Sequence, residues 1–250
     1  EDYQKERAND ELPQSSSGRT IMTTEPKFIP EKGVQIKLDN TAAMNVRLID
    51  CVGYIVPSAL GYIEGDQPRM VHTPWFEEPI PFNMAAEIGT QKVITEHSTI
   101  GLVITTDGSI SDIPRSEYAE AEERVINELK QIDKPFIVLL NCMYPESDDA
   151  KALAAEISEK HGVTVLPVNC LDLNEADIRL ILSRVLFEFP VHELQFFFPR
   201  WINTLPVTHW LRAELTGTIK TAAADIRHIR DIKRFESVFD GSDNVDGARI

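Results

Sequence analysis

The 250-residue chain has no excess of positive charge, few cysteines, and no apolar run of membrane-spanning length. Lysine and arginine number 25 against 40 aspartates and glutamates, a net charge of −15. Clustered Lys and Arg hold an extended phosphate backbone, so this balance argues against DNA or RNA as the main partner and leaves room only for a local basic patch. A membrane span needs about 20 consecutive apolar residues, and no such run occurs. No signal-peptide pattern is visible, which makes the cytosol the expected compartment. The cysteines, Cys51, Cys142 and Cys170, are odd in number and match neither zinc nor redox spacing, so three buried thiols are expected rather than a disulfide framework. Each lies at the C-terminal end of a predicted strand, the edge at which open α/β sheets bind ligands.

A further absence is a phosphate-cradling loop. The motif requires Gly-x-x-x-x-Gly-Lys-Ser/Thr between a strand and a helix. Ser17-Gly18-Arg19-Thr20 comes nearest, but Arg19 replaces the lysine, Pro13 stands at the first glycine, and no apolar strand precedes it. It reads as a polar loop. The chain opens on Glu1 with a charged stretch to Glu11, so the expectation is a fragment from which the first strand, the P-loop and the first helix of a nucleotide-binding fold are missing.

What is there points to such a fold. Hydrophobic residues make up 42%, enough for a sizeable core and for one large or two ordinary domains. Thr20-Ile21-Met22-Thr23-Thr24-Glu25-Pro26 and Arg47-Leu48-Ile49-Asp50-Cys51-Val52-Gly53 flank a stretch that reads as one β-hairpin. They look like the two magnesium-facing switches of a nucleotide hydrolase. Asp50 would stand at the tip of a buried strand to hold a metal-bound water, and Gly53 where backbone must approach a γ-phosphate. Threonine hydroxyls supply neutral oxygen ligands of the kind Mg²⁺ takes beside phosphates. Tyr54 occupies the position where such hydrolases often carry a water-orienting Gln, which leaves the Thr23-Thr24 pair as the candidate γ-phosphate sensor.

The pattern along the chain is α/β. Val34 to Leu38 and Val46 to Ile49 read as an edge hairpin. Tyr54 to Phe82 is rich in proline and aromatics with little periodicity, and reads as an ordered lid or contact surface. Then helix Met84 to His97, strand Ile100 to Thr105, helix Arg115 to Gln131, strand Phe136 to Leu140, helix Asp148 to His161, strand Val163 to Val168 and helix Glu175 to Phe187 alternate, which predicts a parallel sheet with helices on both faces. Ser111-Asp112 and Asn174 mark helix starts and Gly162 a helix end. From Pro190 the pattern changes: Val191 to Phe198 is strand-like, and Thr208 to Phe239 reads as one long helix whose Arg212, Lys220, Arg227, Arg230, Lys233 and Arg234 form a solvated basic face or meet an anionic partner.

Base selection is also legible. Guanine-specific proteins end the corresponding strand with Asn-Lys-x-Asp, whereas this chain has Asn141-Cys142-Met143-Tyr144. Asn141 is kept, but without the carboxylate that reads the guanine edge ATP becomes plausible, with Tyr144 and the Val168-Asn169-Cys170 turn as adenine neighbours. His72, His97 and His161 have no partner at ligand spacing, Asp107-Gly108 reads as a turn, and Glu117, Glu120, Glu122 and Glu123 read as a solvated helix face.

On these residues, and on Asp10 to Ser15, Thr20 to Phe28, Arg47 to Tyr54, Pro68 to Pro81, His97 to Asp107 and Ala119 to Leu129, the chain closely resembles the stage IV sporulation protein A family of endospore-forming bacteria. The resemblance implies a P-loop NTPase-like α/β fold of the translation-factor type, with an ATPase domain over 1–189, its P-loop portion missing, and the start of an α+β middle domain over 190–250. It implies ATP hydrolysis coupled to self-assembly into the basement layer of the spore coat, with ATP and Mg²⁺ as cofactors. By the resemblance Asp50 would be the Walker B aspartate and Thr23 and Thr24 the sensing and catalytic pair; from the residues themselves, Thr23 and Asp50 would be metal contacts and Gly53, Asn141 and Asn169 nucleotide contacts. Implied partners are further copies of the chain, a small amphipathic membrane-anchoring peptide, other spore-coat proteins and the surface of the forespore outer membrane, in the mother-cell cytoplasm. Two rivals remain: a nucleotide-binding scaffold with incidental turnover, and a conventional GTPase.

Overall fold

The computed structural model describes residues 27–37, 43–73, 75–242, 244, 245 and 247. The chain divides after Ser183 into two compact units.

The first unit opens on an antiparallel ladder, β1 (Lys27–Lys37) against β2 (Ala43–Asp50), with Lys27 opposite Asp50. This is the expected hairpin, begun earlier than the alternation alone suggested, although Leu38 lies outside the described residues. Its register slips between Ile29 and Val34, where Pro30 has no N–H to give the ladder. The proline-rich stretch that follows is not a simple loop. It folds into two small hairpins, β3 (Ile63–Glu64) with β4 (Gln67–Pro68) and β5 (Met70–Thr73) with β6 (Phe76–Pro81). Prolines at strand ends and short pairings hid them from a periodicity argument.

Helix α1 (Phe82–Lys92) buries Phe82, Ala85, Ala86, Gly89 and Thr90, and ends in one π-helical turn, Val93–His97. The Lys134 ammonium donates to the Ile94 and Ser98 carbonyls and so closes that turn. Losing two charge-assisted bonds in Lys134→Met is expected to cost roughly 2 kcal/mol in a urea titration.

Beyond α1 the predicted alternation is present as a parallel three-stranded sheet ordered β7 (Gly101–Thr106), β8 (Phe136–Asn141), β9 (Val165–Val168). Its connections are α2 (Arg115–Gln131) and α3 (Asp148–His161), and α4 (Glu175–Phe187) follows. The near-continuous apolar run Phe136-Ile137-Val138-Leu139-Leu140 is wholly buried, as a central strand covered on both faces requires. Val103, Val138, Phe136, Ile126 and Leu129 belong to one buried cluster and Leu140, Ala154 and Ile157 to a second, with Val165 packed against both. By contrast β7 has no partner on its outer edge among the described residues, and its Ile104 is 62% exposed.

Helix starts follow side-chain chemistry. Ser147 caps α3 by accepting from Ala150 N–H, and Asn174 accepts from Ala176 and Asp177 at the head of α4. Gly162 ends α3 at φ 61°, in the left-handed region. Ser111-Asp112 does not start a helix; α2 begins at Arg115 after Pro114, and the Ser111 hydroxyl instead bonds that of Tyr118 at 3.0 Å.

His161 is buried, with Nε2 lacking a hydrogen-bond partner. Burial, then Lys160, pushes its imidazole below the ordinary value of 6.5; Lys130 acts in the same direction, and Glu122 and Glu123 oppose. The unfolded chain takes up that proton near 6.5 and the folded chain resists it, so stability is lost as pH falls below about 6.5. Thermal melts from pH 7.5 to 5.5 should show a drop that His161→Phe reduces.

The second unit corrects two expectations. Val191 to Phe198 is not a strand: the isolated bridge beside it pairs Pro190 with His228, and the segment lies between Pro190 and Pro199 without a ladder, while Phe196 packs on Phe235 at 5.2 Å. The long helix is broken as well. α5 (Arg200–Asn203) is one turn, α6 (Trp210–Ala224) stops at Asp225, and Ile229–Ser237 is a 3₁₀ helix. Backbone bonds from Val191 to Arg227 and from Ile229 to Phe189 hold His228 in an isolated bridge with Pro190, and the Asp231 carboxylate accepts from Arg227 and His228 N–H groups. Tertiary pairing thus overrides helical periodicity. The basic face is partly spent within the unit: Arg230 pairs with buried Glu188 at 2.8 Å and Arg212 donates to the Leu205 carbonyl. Among the described residues, no helix is long and apolar enough to cross a membrane.

Candidate functional site

Asp50 is the last residue of β2, and its side chain is exposed. The backbone then turns, and Gly53 sits at φ 79°, a conformation a side-chain-bearing residue adopts only under strain. The Gly53 N–H donates to Thr90 Oγ1 at 3.0 Å, from a threonine that is 3% exposed on α1. Burial pushes the Cys51 thiol up; the Thr90 hydroxyl and the Gly53 N–H work against that, while Asp50 adds to it. Cys51, Gly53 and Thr90 therefore form one small polar knot in the turn that follows Asp50.

The residues that follow are strapped to α2. The Tyr54 hydroxyl donates to Glu128, and the Tyr54 ring lies under the Arg124 guanidinium at 4.3 Å. Burial and the Glu128 bond raise the phenol, so it stays a donor. Arg124 in turn binds Glu128 at 3.2 Å and Glu87 of α1 at 2.9 Å. Four residues on, Glu117 accepts from both the Ser58 N–H and the Ser58 hydroxyl at 2.7 Å. Glu117 was expected to be merely solvated, as was Glu122, which is instead buried and ion-paired with Arg115.

A second constellation lies at the C-terminal edge of the parallel sheet. Asn141 ends β8 and its Oδ1 accepts from Cys170 N–H at 3.0 Å, leaving its NH₂ as the remaining polar group. Asn169 follows β9, accepts from Leu171 N–H at 3.1 Å and donates to the Met143 carbonyl at 3.4 Å. The structure thus brings Asn141 and Asn169 together. Asp107 accepts from Ser109 at 2.8 and 2.6 Å in the expected turn, and the Ser109 hydroxyl accepts from Met143 N–H at 2.9 Å. Tyr144, 70% exposed, and Leu171 present apolar surface at this edge. Cys142 and Cys170 are free, and burial pushes both thiols up.

Thr23 and Thr24 lie outside the described residues, as does Ser17-Gly18-Arg19-Thr20. Asp50 and Gly53 are adjacent in one turn as expected; Thr90 and Glu128 were missed. Neither gave a signal, because Thr90 is an unremarkable helix residue and Glu128 is 74 positions from Tyr54. Among the described residues, no group of three or more His, Cys, Asp or Glu could hold a metal alone. One exposed carboxylate at a strand tip nevertheless suits Mg²⁺, which keeps several waters and binds through one or two carboxylates plus substrate phosphates.

The comparisons with known proteins agree with one another. Residues 1–190 match the family described as stage IV sporulation protein A, ATPase domain, and residues 191–250 match its middle domain. Stage IV sporulation protein A of Bacillus anthracis is 49% identical over 246 residues, covering 98% of this chain and 50% of the relative. That of Bacillus subtilis (strain 168) is 48% identical over 244 residues, again 98% and 50%. That of Clostridioides difficile (strain 630) is 49% identical over 232 residues, 93% and 47%. The chain spans about half the length of these curated relatives. No solved structure matches. An α/β unit whose aspartate-tipped strand and parallel sheet fall within the ATPase match, followed by residues matching the middle domain, places this chain in the stage IV sporulation protein A family.

Proposed function

We propose that the chain carries the ATPase core of a protein that couples ATP hydrolysis to its own polymerisation into the basement layer of the spore coat. The observation that carries this reading is the exposed Asp50 carboxylate at the tip of β2, three residues before a positive-φ glycine. Asp50 would hold a magnesium-bound water, Thr23 a further magnesium contact, and Thr23 with Thr24 would sense the γ-phosphate. Bound Mg²⁺ would neutralise charge on the phosphates. Tyr54 cannot orient an attacking water as an amide does, and its hydroxyl is already given to Glu128.

That no strand among the described residues pairs with the outer edge of β7 supports a translation-factor-type sheet, in which a strand leading to a P-loop lies between β2 and β7. ATP is preferred to GTP because Asn141-Cys142-Met143-Tyr144 has no carboxylate to read guanine, while Tyr144 offers a ring for stacking. We assign the ATPase domain to 1–189 and the start of the middle domain to 190–250, and place the protein in the mother-cell cytoplasm, peripheral to the forespore outer membrane. Its partners would be its own copies, a small amphipathic anchoring peptide and other coat proteins. The test is turnover and sedimentation of the intact protein with Mg-ATP, with GTP as competitor. ATP-dependent pelleting that GTP fails to inhibit is expected; equal pelleting without turnover would make it a scaffold, and preferential GTP use would reverse the base assignment.

A further inference from the structure

The Gly53 N–H in a turn of this kind is the donor that a γ-phosphate would take, and here it is already given to Thr90. We infer that Thr90 is a positioning residue that holds the Asp50–Gly53 turn in a phosphate-free position, so that a triphosphate must displace its hydroxyl before the turn can close. This deepens the nucleotide reading above and rests on it.

Three ties define the held position. Gly53 is bonded to Thr90 on α1, Tyr54 to Glu128 on α2, and α1 is bonded to α2 through Glu87 and Arg124 at 2.9 Å. The turn is thus pinned to two helices that are also pinned to each other. Thr90 suits the role because it is buried and β-branched, with few side-chain conformations open to it inside a helix. Its oxygen is a neutral acceptor, whereas a phosphate oxygen is charged and makes a bond roughly twice as strong. A γ-phosphate can therefore win the N–H from Thr90, while a diphosphate, which does not reach the turn, cannot. Because Tyr54 is the next residue, movement of Gly53 must also strain the Tyr54–Glu128 bond, and Arg124 and Glu87 lie directly behind it. The nucleotide state would be read out as a changed tie between α1 and α2.

The test uses the intact protein and compares a non-hydrolysable ATP analogue with ADP for wild type, Thr90→Val, Thr90→Ser and Tyr54→Phe, with hydrogen exchange of residues 53–58 in the absence of nucleotide. Removing one bond that competes with the ligand should tighten the analogue about fivefold in Thr90→Val and leave ADP unchanged. Exchange at residues 53–58 should quicken in the same variant. Thr90→Ser keeps the hydroxyl and should behave as wild type. Tyr54→Phe, which loosens the same segment without touching α1, should shift the analogue in the same direction and guards against a Thr90→Val protein that fails to fold. Equal shifts for analogue and ADP, or a serine variant that behaves like valine, would overturn the inference alone. Failure of the wild type to bind either nucleotide would overturn the nucleotide reading, and this inference with it.

Discussion

Replacing Arg115 by leucine is expected to destabilise the first unit by about 3 kcal/mol or more in urea titration, the cost of leaving a buried charge without its partner. Glu122 lies on the buried side of α2 with its side chain 5% exposed. Arg115 Nη2 stands 2.8 Å from both of its carboxylate oxygens, donating a hydrogen bond to Oε1 while Oε2 is held by charge alone. The same guanidinium donates from Nη1 to Thr105 Oγ1 at 3.2 Å, which ties the first turn of α2 to the end of β7. Leucine fills part of the volume but supplies no donor. The double variant Arg115→Leu/Glu122→Leu removes both charges and should recover most of the loss, since buried ion pairs are often replaceable by apolar groups of similar size. A single variant within about 0.5 kcal/mol of wild type would show that water or another cation already serves Glu122.

The pair also shows what a sequence conceals. Glu117, Glu120, Glu122 and Glu123 look alike along α2, and a helical wheel cannot tell which of them meets a cation seven residues back or a serine from the distant turn after β2. Where the fold depends on local signals it was largely readable: apolar runs located β7, β8 and β9 to within two residues, and Asn174 and Gly162 set helix ends by chemistry that works within four residues, although Ser111-Asp112 starts none. Where it depends on contacts made far along the chain it was not. The helix expected through Asp225 breaks because residues 227–229 pair with Phe189–Val191, and the hairpins after Gly53 carry prolines that mask strand alternation. The candidate site divides in the same way. Asp50 and Gly53 stand three apart and declare themselves, whereas Thr90 is 37 positions away and is identified only by the hydrogen bond it accepts.

Asp50→Asn in the intact protein should lower kcat for Mg-ATP by about 100-fold or more, roughly 2.7 kcal/mol or more of barrier. The substitution keeps the size of the side chain and removes only its charge. Because Asp50 is exposed at the tip of β2, the folded unit should melt within about 0.5 kcal/mol of wild type, so lost turnover would not reflect lost structure. The Cys51 thiol gives an internal control, since Asp50 is one of the influences that raise it. Removing the negative charge should make Cys51 alkylation slightly faster at pH 8, which reports that the carboxylate lay where the structure places it. Sedimentation then separates the two consequences of a silent active site. A variant that binds ATP, fails to turn it over and stays in the supernatant means that hydrolysis drives assembly; one that pellets like wild type means that binding or the middle domain suffices. Unchanged kcat would remove Asp50 from the metal shell altogether and require the γ-phosphate to be met from another strand end, such as the Thr106-Asp107 tip of β7.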